Sequence, residues 1–234
     1  GQRIIGPAMA KKFGVKLVMY GENQAEYGNA IEENTNPIMD MDFFSSDDEL
    51  SMRFGGVSMQ EYIDTGKYTK DDFAPYIAPE KQDLIDSGIE VHYLGYYLNW
   101  DPQECYYYSV ENTGFQANPV RTEGTYSKYS SIDDKIDPFH YFTTLIKFGI
   151  GRCTYDAAQE VRNKKITRDE AVYLIKKYDT EFPKIYFKEF LEYIDSTEDE
   201  FWETINKHRS PHIWKKTGDD WALRHCVVNN VGGD

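Results

Sequence analysis

Residues 16–20 (Lys-Leu-Val-Met-Tyr) form a short apolar run with no polar alternation, the pattern of a strand buried on both faces. Ahead of it, residues 3–13 put Ile4, Ala8 and the Lys11/Lys12 pair at helical spacing, and Gly14 is a natural helix stop. Helix, glycine stop, apolar strand and polar loop make one unit of a parallel α/β sheet. The loop at 21–37 follows the carboxyl end of that strand, where open α/β sheets bind their ligands.

The remainder reads differently. Ser58-x-x-Glu61 is a capping box, and Thr69 is placed to cap the segment after it. Residues 89–98 are β-rich and aromatic and predict a strand; a helix is expected over 103–110, and 119–131 is expected as an ordered loop. From 139 onward the chain predicts helices, two of them opened by Thr167-x-x-Glu170 and Thr197-x-x-Glu200. The expected organisation is the end of an α/β domain over 1–37, then a mostly helical lobe over 38–234 with one strand near 89–98.

Composition narrows the function classes. The 234 residues carry a formal net charge of −14, which argues against broad binding of nucleic acid or anionic membranes. With 40% hydrophobic and 15% aromatic residues, the chain is too rich in core formers to be disordered. No apolar run approaches the roughly 18–20 residues of a membrane helix. Cys105, Cys153 and Cys226 are odd in number and far apart, which excludes a disulfide scaffold and fits a reducing, cytoplasmic setting. No secretory signal is expected in residues 1–12. The chain opens on Gly1 and moves at once into helix-like sequence, so it is expected to begin inside a fold.

Two segments concentrate chemistry. In the loop Gly21-Glu22-Asn23-Gln24-Ala25-Glu26-Tyr27-Gly28-Asn29, carboxylates and amides at a strand's end can hold Mg²⁺, a ribose or a substrate amide, with Glu22 and Glu26 as oxygen donors suited to that hard cation. A solvated turn would use the same residue types. The second segment, 121–140, gathers Arg121, Tyr126, Lys128, Asp133, Asp134, Lys135, Asp137 and His140 just before an apolar helix, with Lys147 and Arg152 beyond. Cations near a helix N-terminus favour phosphate, whereas a capped helix with surface ion pairs would also contain them.

Phe54-Gly55-Gly56-Val57-Ser58 superficially matches the SGGxDS phosphate loop of ATP pyrophosphatases. It lacks the leading Ser, the Asp and a preceding buried strand, so Ser58 is expected to serve as a helix cap instead. His92 is expected as a satisfied core histidine, and His208, His212 and His225 lack metal spacing. No GxSxG, HExxH, GxxxxGK or paired CxxC is present.

The blocks GQRIIGPAMAKKFGVKLVMYGENQAEYGN, VHYLGYYLNWDPQE, residues 123–172 and RSPHIWKK occur in that order. Together they resemble the later part of the N-acetyl sugar amidotransferases of the WbpG/PseA type, which act in lipopolysaccharide O-antigen and flagellin-glycan (pseudaminic acid) biosynthesis. The resemblance implies the C-terminal part of a Rossmann-like ATP-pyrophosphatase domain followed by an α-rich lobe. It implies that ATP with Mg²⁺ activates the N-acetyl oxygen of a nucleotide-linked sugar. Ammonia from partner glutamine amidotransferase subunits then gives an acetamidino group.

Carried onto this chain, the resemblance implies nucleotide contacts from Gly21, Glu22, Asn23, Glu26 and Arg152, with Glu22 and Glu26 as metal ligands. It implies catalytic roles for Lys128, Lys147, Asp133 and His140, and sugar contacts from Tyr126, Asp134 and Asp137. The family's SGGxDS loop and Cys-rich opening are missing from these residues, so the chain is expected to be the C-terminal portion of such an enzyme. The alternative is a catalytically inactive sugar-binding or partner-docking domain for a glutamine amidotransferase.

Overall fold

The computed structural model describes residues 1–21 and 35–229, which divide into two units, residues 1–100 and residues 101–234. Secondary structure is mixed α and β, with three two-stranded sheets among the described residues.

The first unit opens with helix α1 (Gln2–Phe13), ended by Gly14 in the left-handed conformation at φ 66°. Pro7 lies inside α1 and cannot donate to the carbonyl of Arg3. The Tyr20 hydroxyl takes that place, donating to Arg3 O at 3.0 Å and also reaching Gln2 O at 3.1 Å. Tyr20 ends strand β1 (Leu17–Tyr20), and Gly6 lets the helix approach it: a Cβ there would lie 3.2 Å from both Tyr20 Oη and Val18 Cγ1.

After β1 come the hairpin β2 (Arg53–Phe54) and β3 (Val57–Ser58), helices α2 (Met59–Asp64) and α3 (Lys81–Ser87), strand β4 (Glu90–Tyr93) and the single turn α4 (Leu94–Tyr97). β4 pairs in parallel with β1, Leu17 opposite Glu90 and Tyr20 opposite Tyr93. One face of this pair, with Val18, Tyr20, Val91 and Tyr93, packs on Ala10, Leu84, Met39 and Phe44. The other face does not follow the expectation of two-sided burial, since Leu17 and Met19 are 49% and 45% exposed. α1 and α3 contribute to the core on one side only. The strand expected over 89–98 is likewise shorter, because β1 offers partners only as far as Tyr93.

Gly55 and Gly56, at φ 61° and 88°, form the two-residue turn of the β2–β3 hairpin. Ser58 then caps α2, its Oγ accepting from Glu61 N at 3.2 Å while the Glu61 carboxylate accepts from Ser58 N at 2.8 Å. The glycine pair is a hairpin turn rather than a phosphate loop, as its sequence implies.

The second unit begins with α5 (Pro102–Thr113), capped by Asp101, which accepts from Glu104 N at 3.1 Å. A long loop leads to α6 (Asp137–Phe148), α7 (Arg152–Arg162), α8 (Arg168–Tyr178), α9 (Phe187–Tyr193) and α10 (Glu198–Lys207). α7 and α8 meet through Cys153, Ala157, Ala171 and Ile175, where small side chains permit close approach. A larger aromatic core joins Phe142, Leu145, Ile146, Phe201 and Ile205 to Trp214 and Leu223. The last two belong to a hairpin, β5 (Trp214–Thr217) and β6 (Asp220–Leu223), turned at Gly218 with φ 65°. This hairpin is absent from the helical expectation for the segment. No helix among the described residues is long and apolar enough to cross a membrane.

Candidate functional site

Within the second unit, polar chemistry concentrates where the loop at 121–131 meets α7. Four loop residues, Gly124, Thr125, Ser127 and Ser130, are buried, so their polar groups require partners. Thr122 N donates to Ser127 O at 2.9 Å, Thr122 Oγ1 to Ser130 O at 2.6 Å, and Ser130 Oγ to Ser127 Oγ at 2.9 Å. The loop is therefore closed on itself before it meets anything else.

Arg121 and Glu181 anchor the loop's base. The guanidinium donates to both Glu181 oxygens at 2.6 Å and to Thr125 O at 3.0 Å, while Gly124 N donates to Glu181 at 2.8 Å. The hydrogen bond from Arg121 holds the Glu181 carboxyl below the usual carboxylate range. Arg121 also lies over the Tyr178 ring at 4.5 Å. Farther along, Cys153 N at the start of α7 donates to Gly124 O at 3.0 Å.

A second cluster surrounds Arg152. Its Nε donates to Asp156 Oδ1 at 3.0 Å, its Nη1 reaches Asp137 at 3.4 Å, and its guanidinium covers the Tyr141 ring at 4.2 Å. Thr125 Oγ1 donates to the other Asp156 oxygen at 2.6 Å, and Ser131 Oγ donates to Asp137. Between the two clusters, the buried Asp179 carboxylate caps α7, accepting from Thr154 N at 2.7 Å, Thr154 Oγ1 at 2.8 Å and Gly151 N at 3.1 Å. Burial raises the Asp179 carboxyl even against these donors, and burial with the charges of Asp101 and Asp156 raises Glu160. Burial pushes the Cys153 thiol up to about 12, which makes it a core residue rather than a nucleophile.

Tyr126 and Tyr129 project from the same loop. Tyr129 donates to Gln103 Oε1 at 3.1 Å and stacks on Tyr106 at 4.5 Å, and burial pushes its phenol up to about 12. The Tyr126 hydroxyl is enclosed without a hydrogen-bond partner among the described residues, and burial followed by the charges of Glu160 and Asp156 raises it strongly.

Residues 123–226, which contain most of this network, match the family model described as LPS biosynthesis protein WbpG-like, C-terminal domain. That segment is similar to the WbpG-like C-terminal domain. No curated protein matches the chain.

Several of the expected site residues fall together within the WbpG-like segment. Arg152 and Asp137 are joined directly, and Tyr126 follows Thr125, whose hydroxyl holds Asp156. Other residues stand apart from that cluster. Lys128 is exposed and donates to Pro119 O at 3.3 Å, and Lys147 is exposed with its ammonium 5.0 Å over the Phe148 ring. Asp134 is exposed and accepts from Ile136 N at 2.7 Å. Asp133 lines a hollow with Tyr186 and Glu189, and His140 sits edge-on to Tyr141 at 5.3 Å.

Lys128, Lys147 and Arg152 thus keep separate partners. Outside the WbpG-like segment, Gly21 is an exposed bend after β1, and Glu22, Asn23 and Glu26 lie outside the described residues. Among the described residues no group of three or more His, Cys, Asp or Glu side chains could hold a metal.

Sequence reasoning does not single out Asp156, Asp179 or Glu181. The four-residue spacing of Arg152 and Asp156 on one helix is a usable signal for the first. Asp179 and Glu181 act on residues 25 to 60 positions away, and nothing local marks them.

Proposed function

We propose that this chain is the C-terminal part of an ATP-dependent N-acetyl sugar amidotransferase, forming an acetamidino group from a sugar N-acetyl group in lipopolysaccharide or flagellin-glycan biosynthesis. The observation that carries this reading is the match of residues 123–226 to the WbpG-like C-terminal domain. The parallel β1–β4 pair with helices on one face is compatible with the edge of a Rossmann-like ATP-pyrophosphatase sheet.

An amide oxygen is a very poor leaving group, and ATP with Mg²⁺ supplies the activation that ammonia from a glutamine amidotransferase partner then exploits. The chain's own residues have separable tasks in this reading. Among the described residues Lys128 and Lys147 have no carboxylate partner, and they stay available for negative charge on a phosphate or departing oxygen. His140, exposed at the first turn of α6, is available to accept a proton. Arg152, already neutralised by Asp137 and Asp156, is a positioning residue that fixes the loop bearing Tyr126 and Lys128. Glu22 and Glu26 remain the proposed metal ligands.

The second reading is a non-catalytic sugar-binding or docking domain. It is favoured by the engagement of Arg152, Asp137 and Asp134 in structural contacts.

Incubating the intact protein with ATP, Mg²⁺, ammonium and N-acetylated nucleotide sugars, then searching by mass spectrometry for replacement of oxygen by NH, separates the two. The enzymatic reading predicts product that is lost in the Lys128→Met/Lys147→Met variant. Sugar binding without turnover from either ammonium or a glutaminase partner overturns it in favour of docking.

A further inference from the structure

The β5–β6 hairpin sets Trp214 and Trp221 on one face, because Trp214 pairs across to Leu223 and Trp221 to Lys216. Trp214 is fixed by its indole N–H, which donates to Ile146 O at the end of α6 at 2.8 Å. Arg209 lies against both rings, its guanidinium carbon 4.3 Å from the centroid of Trp214 and 5.5 Å from that of Trp221.

This arginine differs from Arg121 and Arg152, which each hold a carboxylate. Among the described residues Arg209 forms no ion pair, and its enclosed Nε has no acceptor. Aromatic faces offset part of the cost of withdrawing a cation from water, but they leave its hydrogen-bond donors unfilled.

Arg209 is also a wall of a cavity of about 460 Å³, whose other walls include Phe142, Leu145, Trp221 and Cys226. The site therefore combines a planar cationic fork with an apolar, aromatic body. A guanidinium of this kind matches a planar oxyanion through two parallel hydrogen bonds. Asp179, Asp219 and Asp220 also line the cavity, with Lys176, and the net negative charge of these four works against a dianion such as phosphate more than against a monoanion.

We propose that this cavity is a binding site for a small monocarboxylate, its carboxylate gripped by Arg209 and its apolar or ring-shaped body lying against the Trp221–Phe142 wall. The inference rests on Arg209 and its surroundings and goes beyond the amidotransferase reading, which assigns no role to these residues.

Benzoate, acetate and inorganic phosphate serve as probes, titrated into the intact protein while tryptophan emission is followed. The expected result is a saturable change with benzoate, a weaker one with acetate and none with phosphate. Benzoate should also shield Arg209 from modification by phenylglyoxal. The Arg209→Met variant should bind benzoate at least about tenfold more weakly, the loss expected for a charge-assisted hydrogen bond. Should that variant fold poorly, Arg209→Lys keeps the charge and removes the fork, and is expected to weaken benzoate at unchanged melting temperature. Wild-type emission indifferent to benzoate, tighter binding of phosphate than of benzoate, or benzoate affinity unaltered in a folded Arg209 variant would each overturn the proposal.

Discussion

A methyl group on Gly151 would stand 2.5 Å from the carbonyl oxygen of Asp179 and 2.8 Å from its Oδ1. The closeness follows from the capping of α7 by that carboxylate, which brings the chain after α8 onto the first turn of α7. Neither partner is the end of a long side chain that could swing away. Gly151→Ala is therefore expected to destabilise the protein by about 1–3 kcal/mol, the usual range for overpacking. A lowered urea midpoint at unchanged slope checks this, and an alanine variant as stable as the parent contradicts it.

Asp179→Ala removes the acceptor for two backbone N–H groups and one hydroxyl at once. The expected cost is about 2–3 kcal/mol, a lost N-cap plus donors left unpaired in the interior. Thr154→Val, which deletes only the hydroxyl, should cost about 1 kcal/mol. Hydrogen exchange at the amides of 151–154 should accelerate in the first variant far more than in the second.

The carboxylates around the loop divide by sign in their response to pH. Glu181 is held below its ordinary range by Arg121, so its contribution is complete at neutral pH and is lost as pH falls through that range toward the lowered value. Glu160 is held above its ordinary range, by burial first and then by Asp101 and Asp156. Its folded form retains the proton more tightly, so its effect on stability declines as pH rises between the ordinary and raised values. Urea titrations across pH should show Glu181→Gln flattening the acid-side loss of stability. Glu160→Gln should be at least as stable as the parent at pH 7; a less stable variant there contradicts the assignment.

Tyr126 separates structural from substrate roles. Its hydroxyl is enclosed and has no partner among the described residues, so Tyr126→Phe should leave stability unchanged or raise it by up to about 1 kcal/mol. If the hydroxyl meets the sugar in the complex, the same variant should show a raised KM for sugar. A variant that loses stability shows instead that the hydroxyl is satisfied in the folded protein.

What the sequence reveals here follows the range over which each interaction acts. Capping at Ser58–Glu61, Thr167–Glu170 and Thr197–Glu200 spans three residues, and all three pairs form as their spacing implies. The rejection of Gly55-Gly56 as a phosphate loop is legible for the same reason. The length of β4 is not, because it depends on how far a partner strand more than 70 residues earlier extends. The β5–β6 hairpin is hidden by a charged Lys-Lys-Thr-Gly-Asp-Asp stretch whose only turn signal is Gly218. In the candidate site, Arg152 is visible as a cation beside an apolar helix. Its pairing with Asp156 is local to α7, whereas its reach to Asp137 and the anchoring of Arg121 by Glu181 are products of tertiary packing.

The proposed activation by ATP, in which the sugar amide oxygen takes the adenylate with loss of pyrophosphate and ammonia then displaces AMP, has a direct test in the fate of that oxygen. The intact protein is supplied with ATP, Mg²⁺, ammonium and a substrate whose N-acetyl oxygen carries the heavy isotope. The label is expected in the phosphate of AMP as the acetamidino group forms. Label in inorganic phosphate with release of ADP, or label retained in the sugar while ATP is consumed, would contradict it.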